Sequence, residues 1–523
     1  MSSVLRAASL IAILALVSKV VGLLREVVIN YYYGTYYIRD AYIYASQYPA
    51  SFALIMLAGL NGPFHSSIVS VISKYKAQNK IKDIKTVVTT VTILSTILMS
   101  IITLLFIKFA PQIIDYSTSS TFDKKTRDLA IEQLVIMAPM FIFSGLIGIS
   151  YGILNVEKSY FTPSLSPIMA SLAIMVALMF ATPENSAYAL AWGTMIGAIF
   201  QLILQVIPML PKIKDYFGFS INFKHEGVKD VFMILLPATL SSTVGQINII
   251  ITSYFASSMV EGSASAIYNS NLIYQLPLGV MLTALLVPML PILSESYIKN
   301  DNKESFIKNI NKGIRSLVFL SIPLSVILML SGELFITVLF QRGKFDEYSR
   351  LITYYCLIPT AIGMVSYAIR DLLVRVFYAM NDAKTPFYIT ILSIFTITFF
   401  CWIFVNIFNF QADGICLAVS FVTTINMLIL GTTLHKKIGP WVEKETIQQF
   451  VKISIATIPV VLFSFIFNYF INYHYNWITF GIYSILMGMV GLGCIGSLRT
   501  LKDQETIEIT DKILQRFLRK KNK

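Results

Sequence analysis

The sequence predicts an all-α, polytopic membrane protein with about 14 transmembrane helices, arranged as two six-helix lobes followed by two further C-terminal helices. Three observations predict it. The chain of 523 residues is 56% hydrophobic and only 13% charged, with a mean hydropathy of +0.70, which is far too apolar for a water-soluble protein of this length. Apolar runs of about 20 residues, enough to cross about 30 Å of hydrocarbon, recur fourteen times. Lysines gather on alternate loops, as they do when one side of a membrane is cytoplasmic.

The runs fall at roughly 8–33, 40–73, 86–108, 128–154, 163–181, 187–210, 229–258, 264–298, 314–332, 348–380, 385–408, 412–434, 449–472 and 476–498. Several are longer than a bilayer requires at about 1.5 Å per residue, so those helices must tilt, bend or protrude. The first carries Lys19, Arg25 and Glu26 where a lipid-facing helix would carry no charge. The second is interrupted by Pro49 and by Gly59-Leu60-Asn61-Gly62-Pro63, and backbone groups freed by such a break need neighbouring helices or water. A charged helix beside a broken one implies a polar cavity inside a bundle. The N-terminal stretch imitates a signal peptide, yet it has no small-residue cleavage site and runs on through Arg25, so it reads as a retained first helix.

One set of loops holds Lys74, Lys76, Lys80, Lys82 and Lys85, then Lys158, then Lys212, Lys214 and Lys224. The same side receives Lys299, Lys303, Lys308 and Lys312, then Lys384, then Lys436, Lys437 and Lys444, and last the basic tail. The opposite loops at 182–186, 259–263, 409–411 and 473–475 have no Lys or Arg; only Lys124, Lys125 and Arg127 and the Arg342/Lys344 segment run against the trend. Both termini are therefore expected in the cytoplasm. The net charge of +13 is then a topology signal with some attraction to anionic lipid, and no nucleic acid partner is expected. Cys356, Cys401, Cys416 and Cys494 lie singly in apolar runs, so neither a disulfide framework nor a metal site is indicated. The tail from Thr500 alternates apolar and charged residues, as a short helix on the inner leaflet or a solvated end would.

The chain also echoes itself. Gln47-Tyr48-Pro49 returns as Gln275-Leu276-Pro277, and Tyr151 to Asn155 followed by Thr162-Pro163 returns as Tyr378 to Asn381 followed by Thr385-Pro386. The offset is near 225 residues, or six helices, and an even number preserves orientation, so the halves read as parallel repeats. This divides the chain into an N-lobe at 1–228, a C-lobe at 229–440, two further helices within 441–498 and a tail at 499–523.

A two-lobed bundle with a central cavity is the geometry of alternating access, which carries a polar group past the bilayer centre without exposing it to lipid. In the first helix, Ser18, Gly22, Arg25 and Ile29 share one face, with Lys19 and Glu26 in an adjoining stripe. Arg25 offers a planar fork suited to phosphate and Lys19 a point charge, while Glu26 and Asp40 are placed to balance them or to couple an ion. The competing reading is an internal salt bridge joining Lys19 or Arg25 to Glu26 or Asp40. Asn61 and His65 in the second run, Gln246 in the seventh and Asn269, Asn271 and Gln275 in the eighth are further cavity candidates. Their amides suit sugar and peptide groups, and interhelical hydrogen bonding is the competing role. Arg370, Asp371 and Arg375 in the tenth run read as a lobe salt bridge or a gate. No GxxxxGKS/T loop is present, so direct ATP hydrolysis is not expected, and the driving force falls to the membrane potential or a monovalent cation, with no cofactor.

The residues Ser18 to Glu26, then Gly34 and Asp40-Ala41, resemble the opening signature of the MurJ (MviN) lipid II flippases of the MOP exporter superfamily. The likeness continues in order through Gly152 to Asn155 with Pro163, Phe340 to Phe345, and Phe377 to Pro386, and Asn61 to Ser66 is similar to the cyanobacterial branch. It implies a non-enzymatic flippase of the cytoplasmic (inner) membrane, serving peptidoglycan biosynthesis and cell shape. Its implied partners are an undecaprenyl-pyrophosphate-linked disaccharide-peptide, membrane lipids and cell-wall synthesis machinery. It also implies that helices 449–472 and 476–498 shape a groove for the lipid tail. Arg25 and Asp40 match family positions directly, Lys19 stands where an arginine is frequent, and Glu26 replaces an aspartate. Two features are missing, an arginine pair where this chain reads Ala50 to Leu54 and an arginine where it has Leu272, which bears on the ligand more than on the fold. The alternative is a MOP-type exporter of another polyprenyl-linked glycan or an amphipathic small molecule. A membrane-embedded glycosyltransferase or hydrolase would need paired carboxylates or a histidine cluster, yet His65, His225, His435 and His474 are scattered.

Overall fold

The computed structural model describes residues 3–59, 62–182, 185–298, 303–471 and 476–500; Asn61 and the tail beyond Thr500 lie outside the described residues. Among the described residues every regular element is helical. Eight helices are individually long and apolar enough to cross a membrane, and three bent pairs raise the number to eleven. The remaining expected spans are the charged first one, Ser3–Tyr33, the broken second one, and the last, Trp477–Thr500.

The chain forms two compact units, residues 1–264 with 342–345 and residues 265–341 with 346–523. In the first unit the second span runs as Tyr37–Ser46, then as a π-helix over Gln47–Leu57, and after a break resumes as Pro63–Ala77. Proline at 49 cannot donate to the preceding turn, and widened turns are one way to absorb that loss. The third span is Ile81–Lys108 and the fourth is Lys124–Met137 with Met140–Val156, bent by 43° where Pro139 interrupts the ladder. The fifth, Phe161–Met179, and the sixth, Ser186–Val206, pack along each other, and the first span packs on the fifth. The seventh, Glu226–Ala256, lies against the later half of the second span and so groups by packing with the first unit.

Two glycine pairs bring neighbouring spans close together. A Cβ at Gly148 or Gly152 would stand 2.5 Å from Phe64 Cβ or 2.4 Å from Ile68 Cγ2, and one at Gly193 or Gly197 would stand 2.8 Å from Ile174 Cα or 2.6 Å from Ala170 Cα. Membrane helices lack a hydrophobic driving force toward each other, so such small-residue contact does much of the joining. Gly197→Val meets backbone that cannot give way, and should cost about 1–3 kcal/mol as overpacking. Thermal unfolding in detergent checks this, with Gly22→Ala as control, because a Cβ at Gly22 meets nothing within 4 Å.

In the second unit the eighth span, Ser263–Ile298, bends by 43° between residues 283 and 288, and the tenth, Glu347–Ile362 with Met364–Ala379, bends by 47° at Gly363. The ninth span, Lys303–Phe340, packs on the tenth and on the thirteenth, which consists of Lys444–Ala456 and Ile458–Ile471. Leu334 and Val338 of the ninth share a core with Val460, Phe467, Tyr483 and Met487 of the last two spans. Buried Asn311 ties the chain entering the thirteenth span: it donates to Trp441 O (2.6 Å) and accepts from Glu443 N–H (3.0 Å) and the Thr446 hydroxyl (2.8 Å). The eleventh and twelfth spans are Lys384–Trp402 and Ala412–Ile438, the former ending in a π-helical turn at Ile403–Ile407. Cys356, Cys401 and Cys416 are buried free thiols.

Both units close their lysine-rich face with a similar clasp. Glu157, after the fourth span, accepts from Lys212, Lys76 and Tyr216, and Asp382, after the tenth, accepts from Lys437 and the Thr385 hydroxyl. From 157 to 382 and from 212 to 437 the interval is 225 residues, the interval of the sequence echoes. Burial alone would raise these carboxyls, but hydrogen bonds from their partners bring each down to about 2. A depressed carboxyl contributes stability that is fully present above its unfolded value and is lost as pH falls through the folded one. Acidification from about pH 4.5 toward 2 should therefore lower the unfolding midpoint, and Glu157→Gln should flatten that fall.

Candidate functional site

The charged face of the first span is built from three side chains. Arg25 Nε and Nη2 donate to Glu26 Oε1 at 3.0 and 2.5 Å, and Arg39 Nη2 donates to Glu26 Oε2 at 2.8 Å. Glu26 is thus gripped on both oxygens. The side chains of Glu26 and Arg39 are 3% and 2% exposed, whereas that of Arg25 is 25% exposed. Arg25 is the accessible end of this cluster. Exposed Lys19 and partly exposed Ser18 continue that side of the helix, the position of Gly22 opens onto space, and Ile29 is fully buried. Tyr42 approaches from the second span, its hydroxyl 2.8 Å from Thr194 Oγ1.

Asp40 reaches a turn far along the chain. Its Oδ2 accepts the Gly262 N–H at 2.7 Å, where Gly262 has φ +91° and a Cβ would fall 2.1 Å from Thr35 O. Only glycine fits this turn, and Asp40 holds it to the start of the second span. The partner that sequence reading missed is Arg39. Its signal is the basic residue immediately before Asp40, hidden because it stands just outside the apolar run that begins at residue 40. Residues 342–345 also join this unit: Lys344 N–H donates to Tyr31 O at 2.8 Å, and at Gly343, with φ +60°, a Cβ would fall 2.3 Å from the same oxygen.

His65 is buried and lies 2.9 Å through Nε2 from Asn155 Nδ2, tying the second span to the fourth. Gln246 is partly buried in the seventh span, while nearby Gln47 Nε2 donates to the Ser253 hydroxyl at 2.7 Å. In the second unit Asn269 is fully buried, Asn271 donates to Ile267 O of its own helix at 3.0 Å, and Gln275 is exposed. In the tenth span Arg375 Nη2 lies 3.5 Å from Asp371 Oδ2, and the Arg370 guanidinium carbon sits 4.6 Å from the centre of the Tyr367 ring.

The sequence profile described as "Lipid II flippase MurJ" matches residues 29–488. The chain belongs to the MurJ lipid II flippase family. Among MurJ relatives, the "Probable lipid II flippase MurJ" of the cyanobacterium Synechocystis sp. is 34% identical over 444 residues, covering 83% of this chain and 81% of the relative. The "Lipid II flippase MurJ" of Burkholderia cenocepacia is 27% identical over 429 residues, 81% of this chain and 82% of its own. A solved "Lipid II flippase MurJ, inward closed conformation" superposes with a TM-score of 0.76 at 24% identity, covering 95% of this chain and 99% of that one. An inward-facing MATE transporter of the MOP superfamily shares the fold at TM-score 0.68 and 15% identity, over 82% and 98% of the two chains. This multi-pass membrane protein therefore has the MurJ fold over the matched 95% of its length, and its likeness to the cyanobacterial branch is matched by the Synechocystis relative.

Proposed function

We propose that this chain is a flippase that carries lipid II, the polyprenyl-pyrophosphate-linked disaccharide-peptide precursor of peptidoglycan, across the cytoplasmic membrane. The carrying observation is the family match over residues 29–488. The chemistry agrees with it: a diphosphate needs a cation at bilayer depth, and the accessible Arg25 end of the cluster supplies one. The relatives are named for lipid II, so another polyprenyl-linked glycan or an amphipathic small molecule is not favoured. In this reading both termini are cytoplasmic, the lysine-rich face with its two clasps faces the cytoplasm, and transport proceeds by alternating access. The membrane potential or a monovalent cation supplies the drive, at about 2.3 kcal/mol per charge per 100 mV.

The test is conditional replacement of an essential lipid II flippase by this chain, with inward-exposed lipid II measured directly. The expected result is survival with precursor cleared from the inner leaflet. Accumulation of inward lipid II despite normal protein levels would overturn the assignment.

A further inference from the structure

Arg370 is a second cation at depth, and nothing assigned to it so far explains it. It lies nine residues before the end of Met364–Ala379, about 13 Å along the helix from the lysine-rich face. Its two charged neighbours, Asp371 and Arg375, face each other and cancel. Arg370 itself makes no ion pair among the described residues, and its buried Nε has no hydrogen-bond partner. Its one contact of note is the face of Tyr367, and Tyr367 in turn stands edge-on to Tyr274 of the eighth span, centroids 6.2 Å apart at 90°. Tyr367 and Arg370, three residues apart, share one helix face, and Asn271 and Tyr274 share a face of the eighth span by the same spacing.

A guanidinium at this depth without a counter-ion persists where water or an anion reaches it. The face of the Tyr367 ring holds the guanidinium, and a guanidinium's planar fork of N–H donors is suited to taking two phosphate oxygens at once. The geometry points to Arg370, backed by Tyr367 and Tyr274, as an oxyanion site of the second unit that takes the diphosphate of the lipid-linked cargo. This rests on the lipid II reading above and deepens it. A bilayer phospholipid phosphate is the other source of the same chemistry. The amide of Asn271 beside Tyr274 suits the sugar or peptide portion that a bare phospholipid lacks.

The test uses the full chain in nanodiscs and three probes: undecaprenyl pyrophosphate, undecaprenyl monophosphate and phosphatidylglycerol, with binding read by native mass spectrometry and by titration. Wild type should prefer the pyrophosphate. Arg370→Ala should lose roughly tenfold to a hundredfold in affinity for it and lose the preference over the monophosphate, with phosphatidylglycerol unaffected. Arg370→Lys should keep attraction but not the preference, since a point charge lacks the fork, and Tyr367→Leu should fall between. A structural staple alone would lower the unfolding temperature without touching the pyrophosphate-to-monophosphate ratio, and that result overturns the assignment. Equal losses for phosphatidylglycerol overturn the cargo as the source. Failure of wild type to bind the pyrophosphate at all would instead count against the lipid II reading.

Discussion

Alanine at position 25 should abolish rescue by this chain of cells depleted of their lipid II flippase, while the protein still accumulates in the membrane. The reason lies in how the cluster is shared. Glu26 keeps Arg39 on its second oxygen when Arg25 is removed, so the buried carboxylate retains a counter-charge and the fold survives. What disappears is the accessible guanidinium, and with it charge-assisted hydrogen bonds to the cargo diphosphate. Losing them should slow translocation by roughly tenfold to a hundredfold or more. Arg25→Lys keeps the charge without the paired donors and should give partial rescue. Full rescue by Arg25→Ala at normal protein levels would remove Arg25 from the transport mechanism.

Arg39→Ala should do the reverse and strike the fold. Arg39 is 1% exposed and holds Glu26 Oε2 from another helix. Removing one member of a buried ion pair costs about 3–5 kcal/mol, because the remaining charge stays in a medium that cannot solvate it. The expected outcome is low accumulation and a sharply reduced unfolding midpoint in detergent. The double variant Arg39→Ala with Glu26→Gln should recover much of that loss, since an amide needs no counter-charge. A non-additive recovery in the double-mutant cycle would identify the pair as the cause.

Much of the architecture was legible because it is written in one dimension. Apolar run length marks the spans, Pro49 and the 59–63 break mark the discontinuous second helix, and the offset near 225 marks the recurrence that the Glu157 and Asp382 clasps display side chain by side chain. Partner choice is three-dimensional, and there the reading was incomplete. Asp40 was as good a counter-ion on paper as Glu26, and nothing in the sequence marked its Oδ2 as the acceptor for the left-handed turn at Gly262. Arg39 has no helical spacing to Glu26; the chain reverses through Gly34 to bring it there. Gly148 and Gly152, and likewise Gly193 and Gly197, stand four apart in plain view, yet which neighbour they admit depends on the helix opposite.

Those glycine contacts decide where the first unit can yield. Helices that meet glycine against main chain, as the fifth and sixth spans do, or glycine against the root of a side chain, as the fourth does with the second half of the second, cannot slip past each other without a collision and behave as stiff plates. Compliance then concentrates at joints that interrupt the regular α-helical ladder, among them the π-helical stretch around Pro49 and the elbow at Pro139. Hydrogen exchange along the chain should be slow across the plates and fastest at those two joints, which makes them the points where a small molecule could jam the machine without competing for its cargo.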